Sequence, residues 1–403
     1  SAATKRPALA GVKVVDLTQF EAGTSVTETL AWLGADVVKV ERPGIGEQGR
    51  FASTDVPGVD SYYFMLLNAN KRSVTCNLKD ERGKQIVRDL IAQADIFIEN
   101  FAPGAIERLG FGYDAVREIN PAIIYGSIKG FGPGSPYEEF LSFDMIGQAT
   151  GGVMSITGEA PGRPPIKCGA PMADITAGIL GAMGVLAAYI QRAKTGQGQR
   201  VDTSLFEAGI VHTYWQSAIA MASDTAPGPM GSAHPLNAPY EAFETTDGWI
   251  TLGAANQANW LKLLGLIAAP ELGEDPRFTN NHDRITHRIE LAKALAPIIR
   301  TRTSADWLRR LEAVGVPAGP VLDVAEMHRD PQTLAREMVT EAPHTKLGPV
   351  KTLGAPVKFS ATPGGVTRGA PLLGEHTREV LAEYGYGDDE IDALLSYGAV
   401  VAI

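Results

Sequence analysis

Residues 12–41 read VKVVDLTQFEAGTSVTETLAWLGADVVKVE, and this stretch decides the fold. The apolar run at 12–17 suits a strand buried on both faces. A loop, 18–23, follows it. Val26, Leu30 and Leu33 then recur at helical spacing, and Gly34 ends that helix. Residues 36–41 (DVVKVE) form the next strand. Strand, helix and strand in such close succession make a βαβ unit, whose two strands lie parallel.

The rhythm continues outward. Residues 74–78 read as a strand, 80–94 as a helix, 95–99 as a strand, 113–119 as a helix and 122–128 as a strand. The fold class expected is α/β, with an open, mainly parallel, Rossmann-like sheet in a large domain. Such sheets bind ligands at the carboxyl ends of their strands. A long apolar helix runs from Asp174 to about Arg192. A strand follows at 200–205, then a second apolar helix at 206–221. Thr225-Ala226-Pro227-Gly228-Pro229-Met230-Gly231 is a cluster of helix breakers, taken as a boundary. Residues 1–227 would be the N-terminal part of the large domain. Residues 228–330 would be a smaller α+β domain, with a hairpin at 240–243 and 249–252 and helices at 259–266, 289–299 and 304–313. Residues 331–403 carry a late helix at 377–384.

Composition narrows the function. The 403 residues carry 44% hydrophobic and 20% charged side chains, as ordinary globular proteins do. A net charge of −10 argues against a nucleic-acid partner, which needs clustered Lys and Arg. Cys76 and Cys168 are the only cysteines, which excludes a disulfide scaffold and a thiolate metal site. The start of the chain lacks a secretory pattern. Residues 175–190, the most apolar run, are interrupted by glycines and look too short to span a bilayer. No membrane partner is expected, and a cytoplasmic location is, or a mitochondrial matrix if the source is eukaryotic.

Gly44-Ile45-Gly46-Glu47-Gln48-Gly49 fits the dinucleotide G-x-G-x-x-G pattern, but Arg50-Phe51-Ala52-Ser53 follows instead of an apolar helix, so context speaks against it. The chain has no G-x-S-x-G, H-E-x-x-H or P-loop signature. Two features remain. The loop Gln19-Phe20-Glu21-Ala22-Gly23 closes a strand and opens a helix, as an anion site or an ordinary βα loop would. Asp174, in Pro171-Met172-Ala173-Asp174, starts the long helix either as a cap or as a nucleophile at the positive end of the dipole.

At this point several motifs, in order, resemble one family. They are LAGVKVVDLT (9–18), LGADVVKVERPG (33–44), NANKRSVTCNLK (68–79), ENFAPGAIERLG (99–110), KTGQGQRVDTSLFE (194–207), APYEAFETTDGWI (238–250) and VPAGPVLDV (316–324). All are similar to the family III CoA-transferases, the group of formyl-CoA transferase and the carnitine and bile-acid CoA-transferases. The resemblance implies a large domain built from both chain ends, so that residues 331–403 return to it, and an interlocked homodimer. It implies an enzyme whose nucleophile is Asp174. CoA would move from an acyl-CoA to a small carboxylic acid through aspartyl anhydride and aspartyl-CoA thioester intermediates. The helix start would hold the carboxylate charged and supply N–H groups. Coenzyme A and acyl-CoA would be substrates, with no metal and no permanently bound cofactor.

The same resemblance places CoA contacts. Gln19, Phe20 and Ala22 would lie beside the thioester end, with Glu21 as a possible support for catalysis. Arg42 would pair with phosphate. Cys76, Asn77 and Lys79 would flank the adenine. Asn100, Phe101, Ala102 and Arg108 would line the rest of the nucleotide pocket, and Phe143 and Asp144 complete the set. Three features depart from the pattern. Glu21 stands where formyl-CoA transferase has glutamine. Phe140-Leu141-Ser142-Phe143-Asp144 lacks the basic residue many members carry. The glycine-rich lid is here Gly228-Pro229-Met230-Gly231-Ser232-Ala233-His234, a stiffer segment. An α-methylacyl-CoA racemase is the alternative on the same fold, but it needs a histidine where Phe143 stands, and phenylalanine carries no proton. A non-catalytic CoA-binding protein is the other alternative, and it would not need the acid at 174. The acid acceptor stays open among succinate, oxalate, short dicarboxylates and carnitine-like acids.

Overall fold

Six parallel strands form the central sheet of a computed structural model that describes residues 6–53, 55–56 and 58–403. They are β1 (Lys13–Asp16), β2 (Asp36–Glu41), β3 (Arg72–Thr75), β4 (Ile96–Glu99), β5 (Ile124–Lys129) and β6 (Gln199–Ser204), in the order β3-β2-β1-β4-β5-β6. Val14 pairs with Val37 on one side and Ile96 on the other. Successive strand residues face opposite layers, as strand geometry requires. Val15, Val38, Val74 and Phe97 pack under the helix Glu81–Gln93 and the C-terminal helices Thr377–Glu383 and Asp388–Ser396. Val14, Val37, Ile98 and Ile124 pack under the helices Ala22–Trp32 and Met172–Thr195. The expected parallel α/β sheet is therefore present. Its strand order reverses direction between β1 and β4, so the loops leaving these two neighbours open a crevice at the carboxyl edge.

The helix Met172–Thr195 lies close against its neighbours because of its small residues. A Cβ on Gly178 would come within 2.5 Å of Ser25 Cβ, and one on Gly181 within 2.8 Å of Ile128 Cδ1. The expectation that no segment is long and apolar enough for a bilayer needs correction. This 24-residue helix meets that length and composition, because its glycines interrupt neither the helix nor its apolarity. One side is buried through Ala173, Ala177, Ala182, Val185 and Ala188. Ile179 and Met183 on the other side are 58% and 62% exposed.

The chain divides into two compact units. One comprises the chain up to Gly152, Cys168–His212 and Asp330–Ile403; the other comprises Val153–Lys167 and Thr213–Arg329. The expected helix at 206–221 is two helices, Leu205–Val211 and Tyr214–Ser223, and the second belongs with the second unit, ahead of the breaker cluster. Ring contacts tie it there: Trp215 packs edge-on against His234, which stacks on Tyr240. The second unit holds the antiparallel strands β7 (Tyr240–Glu244), β8 (Trp249–Gly253) and β9 (Ala318–Pro320) around Trp260, Phe278, Leu295 and Trp307. In the first unit, β10 (Val339–His344) and β11 (Gly348–Leu353) form a hairpin that periodicity did not reveal.

Candidate active site

The loop after β1 is built from the strand's last residue outward. Asp16 is fully buried, and its Oδ1 accepts from the Thr18 amide at 2.8 Å and the Thr18 hydroxyl at 2.5 Å. Burial alone would raise its pKa, but Lys39 and Lys71 outweigh that and draw it down to about 2. Lys39 Nζ donates to the Thr18 carbonyl at 2.9 Å. The crevice neighbour, the loop after β4, supplies Asn100, whose Oδ1 accepts from Gln19 N and whose Nδ2 donates to Gln19 O, both at 2.8 Å. Gly23 makes room for this bridge, since a Cβ there would come within 2.8 Å of Asn100 Cγ. Phe20 adopts the left-handed region, φ 57°, and Glu21 precedes the helix Ala22–Trp32.

Asp174 sits in the first turn of its helix, not at the cap, which is Pro171. The cap function comes from Asp144, whose Oδ1 accepts from Ala173 N at 2.8 Å and Asp174 N at 3.2 Å. Gln148 Nε2 donates to the other oxygen of Asp144 at 2.7 Å. This corrects the expectation that the helix start supplies its N–H groups to the Asp174 carboxylate: a second carboxylate already takes them. Burial first, then the charges of Glu21 and Asp144, push the Asp174 carboxyl up to about 7. Glu21 is pushed up to about 7 as well, by burial and by Asp144, against the hydrogen bond that Tyr63 OH donates to it at 3.3 Å. Both carboxyls are thus held well above the usual carboxylate range by burial first and neighbouring charge second.

Two cavities meet here. The larger, about 470 Å³, is lined by Gln19, Phe20, Glu21, Ala22, Asn100, Phe101, Ala102, Phe143 and Asp174. The smaller, about 210 Å³, is lined by Gln19, Arg42, Cys76, Asn77, Lys79 and Phe101. Gln19 and Phe101 line both, so the two share a wall. Most of the residues singled out in the sequence thus come together. Arg108 and Asp144 line neither cavity: Arg108 is exposed on the helix Ala105–Leu109, and Asp144 is spent on its cap. Burial pushes the Cys76 thiol up to about 12, so it serves as an inert wall.

Phe140, Leu141 and Phe143 give the larger cavity an apolar rim, with Phe143 71% exposed and Phe140 stacked on Tyr137. Lys129 adds no free charge to that cavity, since its Nζ is bound at 2.8 Å to both Glu99 Oε2 and Phe101 O. The segment 228–234 belongs to the second unit, where Gly231 N donates to Gly158 O. Sequence reasoning missed Tyr63, Glu47 and the capping role of Asp144. Each acts through a partner far off in the chain, and no local spacing signals that.

Comparison with known proteins adds a family. A family model described as CoA-transferase family III matches residues 9–377. An acyl-CoA transferase of Fusarium pseudograminearum is 39% identical over 97% of this chain and 88% of that protein. A formyl-CoA:oxalate CoA-transferase of Streptomyces avermitilis is 39% identical over 98% of this chain and 99% of that protein. A human succinyl-CoA:glutarate CoA-transferase is 36% identical over 97% and 90%. Among solved structures, a CAIB/BAIF family protein from Brucella suis superposes with a TM-score of 0.85 at 38% identity, covering 94% of this chain and all of that one. The resemblance read from the sequence motifs is borne out.

Proposed function

This chain belongs to CoA-transferase family III, and from that premise we propose that Asp174 is the nucleophile in moving coenzyme A from an acyl-CoA to a carboxylic acid. The observation that carries this reading is the placement of Asp174 in the larger cavity, beside the Gln19–Ala22 loop and across a shared wall from Arg42 and Lys79. The nucleotide would lie in the smaller cavity, with Arg42 and Lys79 toward its phosphates. The pantetheine arm would pass Gln19 and Phe101 to bring the thioester to Asp174.

The steps balance without any other reagent. The Asp174 carboxylate attacks the thioester carbonyl, the C–S bond breaks, and an aspartyl–acyl anhydride forms with coenzyme A thiolate leaving. The thiolate attacks the aspartyl carbonyl, giving an aspartyl-CoA thioester and the free donor carboxylate. The acceptor carboxylate then attacks that thioester, and the released thiolate takes the acceptor's acyl carbon, which returns Asp174 as a carboxylate. Splitting one exchange in this way lowers each barrier. Glu21 lines the same cavity and, when protonated, presents an O–H toward the oxyanion of each tetrahedral step.

The working form in this reading is an interlocked homodimer. The exposed apolar face of the Met172–Thr195 helix, with Ile179, Met183 and Ile190, supports it, because a monomer would leave that face in water. The test is a panel of acyl-CoA donors, formyl-CoA and succinyl-CoA included, against carboxylic acids. The enzyme is trapped mid-reaction with hydroxylamine and mapped by peptide mass. An adduct at Asp174, and loss of transfer by about 10³-fold or more in Asp174→Ala, are expected. Wild-type transfer by Asp174→Ala would overturn the reading.

A further inference from the structure

We infer that Glu47 is a positioning residue: presented by the glycine turn at 44–49, its buried carboxylate fixes the backbone of Phe20 and so aims Glu21 into the cavity that holds Asp174. The inference rests on the assignment of that cavity to coenzyme A transfer.

Phe20 is one of the few side-chain-bearing residues with positive φ, at 57°. Such a conformation is unfavourable and persists only where the surroundings impose it. Here the Phe20 amide donates to Glu47 Oε2 at 3.0 Å. The residues on either side are tied by other elements: Gln19 by Asn100, the Thr18 carbonyl by Lys39, and the Glu21 carbonyl by Ser25 N at 2.8 Å. Glu47 thus holds the amide of the strained residue itself, directly before Glu21.

The turn that carries Glu47 is shaped for this. Gly44 and Gly46 have φ of 77° and 76°, the region that favours glycine. Gly49 N donates to the same Glu47 Oε2 at 2.8 Å, and a Cβ on Gly49 would lie 2.9 Å from that oxygen. Glu47 N donates to Glu41 Oε2 at 3.1 Å, and Glu41 is held by Arg50 through two bonds of 2.6 and 2.7 Å. Lys39 lies 3.6 Å from Glu47 Oε1, which has no hydrogen-bond partner among the described residues, so the carboxylate is steered by one oxygen and a nearby charge. The same segment runs on to Ser61 and Tyr63, whose hydroxyl reaches Glu21 from the other side. The glycine pattern that context disqualified as a dinucleotide loop therefore has a different use: it presents a carboxylate to a backbone amide.

The test uses the full-length protein and reads two things. Amide hydrogen exchange of the peptide around residues 19–22 reports the backbone at Phe20. Single-turnover acylation of Asp174, with whichever donor labels wild type, reports the site, and calorimetry with free coenzyme A reports binding. Glu47→Ala should speed exchange in that peptide by about tenfold or more. Glu47 also lines the smaller cavity, so coenzyme A affinity is read alongside: acylation should fall about 10- to 100-fold, as displacement of a reacting group by an ångström does, a larger loss than any change in affinity. Glu47→Gln keeps an acceptor oxygen and should restore most of both. Gly49→Ala leaves the buried charge in place, pushes only the carboxylate, and should reproduce the alanine pattern even if Glu47→Ala does not fold. Unchanged exchange at 19–22 overturns the inference. So does weaker coenzyme A binding at an unchanged acylation rate, which would make Glu47 a ligand contact, or faster exchange spread evenly over β1 and β2, which would make it a general stabiliser. If no donor acylates wild type, the transfer reading fails, while the exchange arm still judges Glu47.

Discussion

Asp144 Oδ1 accepts the backbone amide of Asp174 at 3.2 Å, so one carboxylate caps the helix on which the other is carried. The helix N-terminus is thereby satisfied without the Asp174 carboxylate, and the charge of Asp144 opposes ionisation of Asp174 instead of favouring it. The consequence can be separated by two substitutions. Asp144→Asn keeps an acceptor oxygen for the two amides, and Asp144→Ala removes it. The alanine variant should lose about 1 kcal/mol of stability and the asparagine variant clearly less. Both remove the charge, so both should shift the acid limb of the pH–rate profile downward. Thermal unfolding and pH–rate profiles check this pair; unequal limb shifts would mean that the charge of Asp144 is not what raises Asp174.

The transfer rate should depend on pH through Asp174 and Glu21. In the proposed mechanism Asp174 attacks only as a carboxylate, and burial with nearby charge pushes its pKa up to about 7. Activity should therefore be present above pH 7 and be lost as pH falls through it. Glu21→Gln removes one of the groups that raises Asp174, so its acid limb should move down by about one pH unit. Its rate at pH 8 should remain within about tenfold of wild type, because the amide also offers an N–H to the oxyanion. An unmoved limb in Glu21→Gln would show that the two carboxyls are electrically independent.

Stability should run opposite to activity at this site. The Asp174 carboxyl rises from 3.8 to about 7 on folding. Between those values the folded chain holds a proton that the unfolded chain has lost, so stability falls as pH rises through this window. Asp174→Asn carries no such proton. It should be more stable than wild type at pH 8, by on the order of 2 kcal/mol, and about equal at pH 4. Urea unfolding at the two pH values measures the difference. Equal wild-type and variant stability at pH 8 would remove the case for a strained, high-pKa nucleophile.

Packing behind the site makes a separate prediction. Gly178 lets the Met172–Thr195 helix approach the Ala22–Trp32 helix, with the position of a Cβ only 2.5 Å from Ser25 Cβ. Gly178→Val should destabilise the protein by about 1–3 kcal/mol. Gly178→Ala combined with Ser25→Gly should cost less than the sum of the two single changes, because the second removes the atom the first would strike. Denaturant midpoints of the four proteins supply the cycle, and strict additivity would mean that the helices separate freely.

Much of this protein is legible along its length. The alternation of apolar runs and helical spacing announces the parallel sheet because strands covered on both faces must be apolar throughout. Val12–Leu17 aside, even the cavity wall at Gln19–Ala22 and Asn100–Ala102 follows, since loops at the carboxyl ends of strands are where such sheets bind ligands. The seven ordered motifs carried the family, and with it the proposal of Asp174 as nucleophile. What no local pattern contained is which groups share an environment. Asp144 and Asp174 are thirty positions apart, Glu47 and Phe20 twenty-seven, and Tyr63 and Glu21 forty-two. A hydrogen bond acts over about 3 Å and desolvation depends on all surrounding atoms. The identity of the acid at 174 is thus a property of the sequence, whereas the supply of its helix cap, its raised pKa and the backbone that aims Glu21 into its cavity exist only once the segments that follow β1, β2, β4 and β5 are brought together.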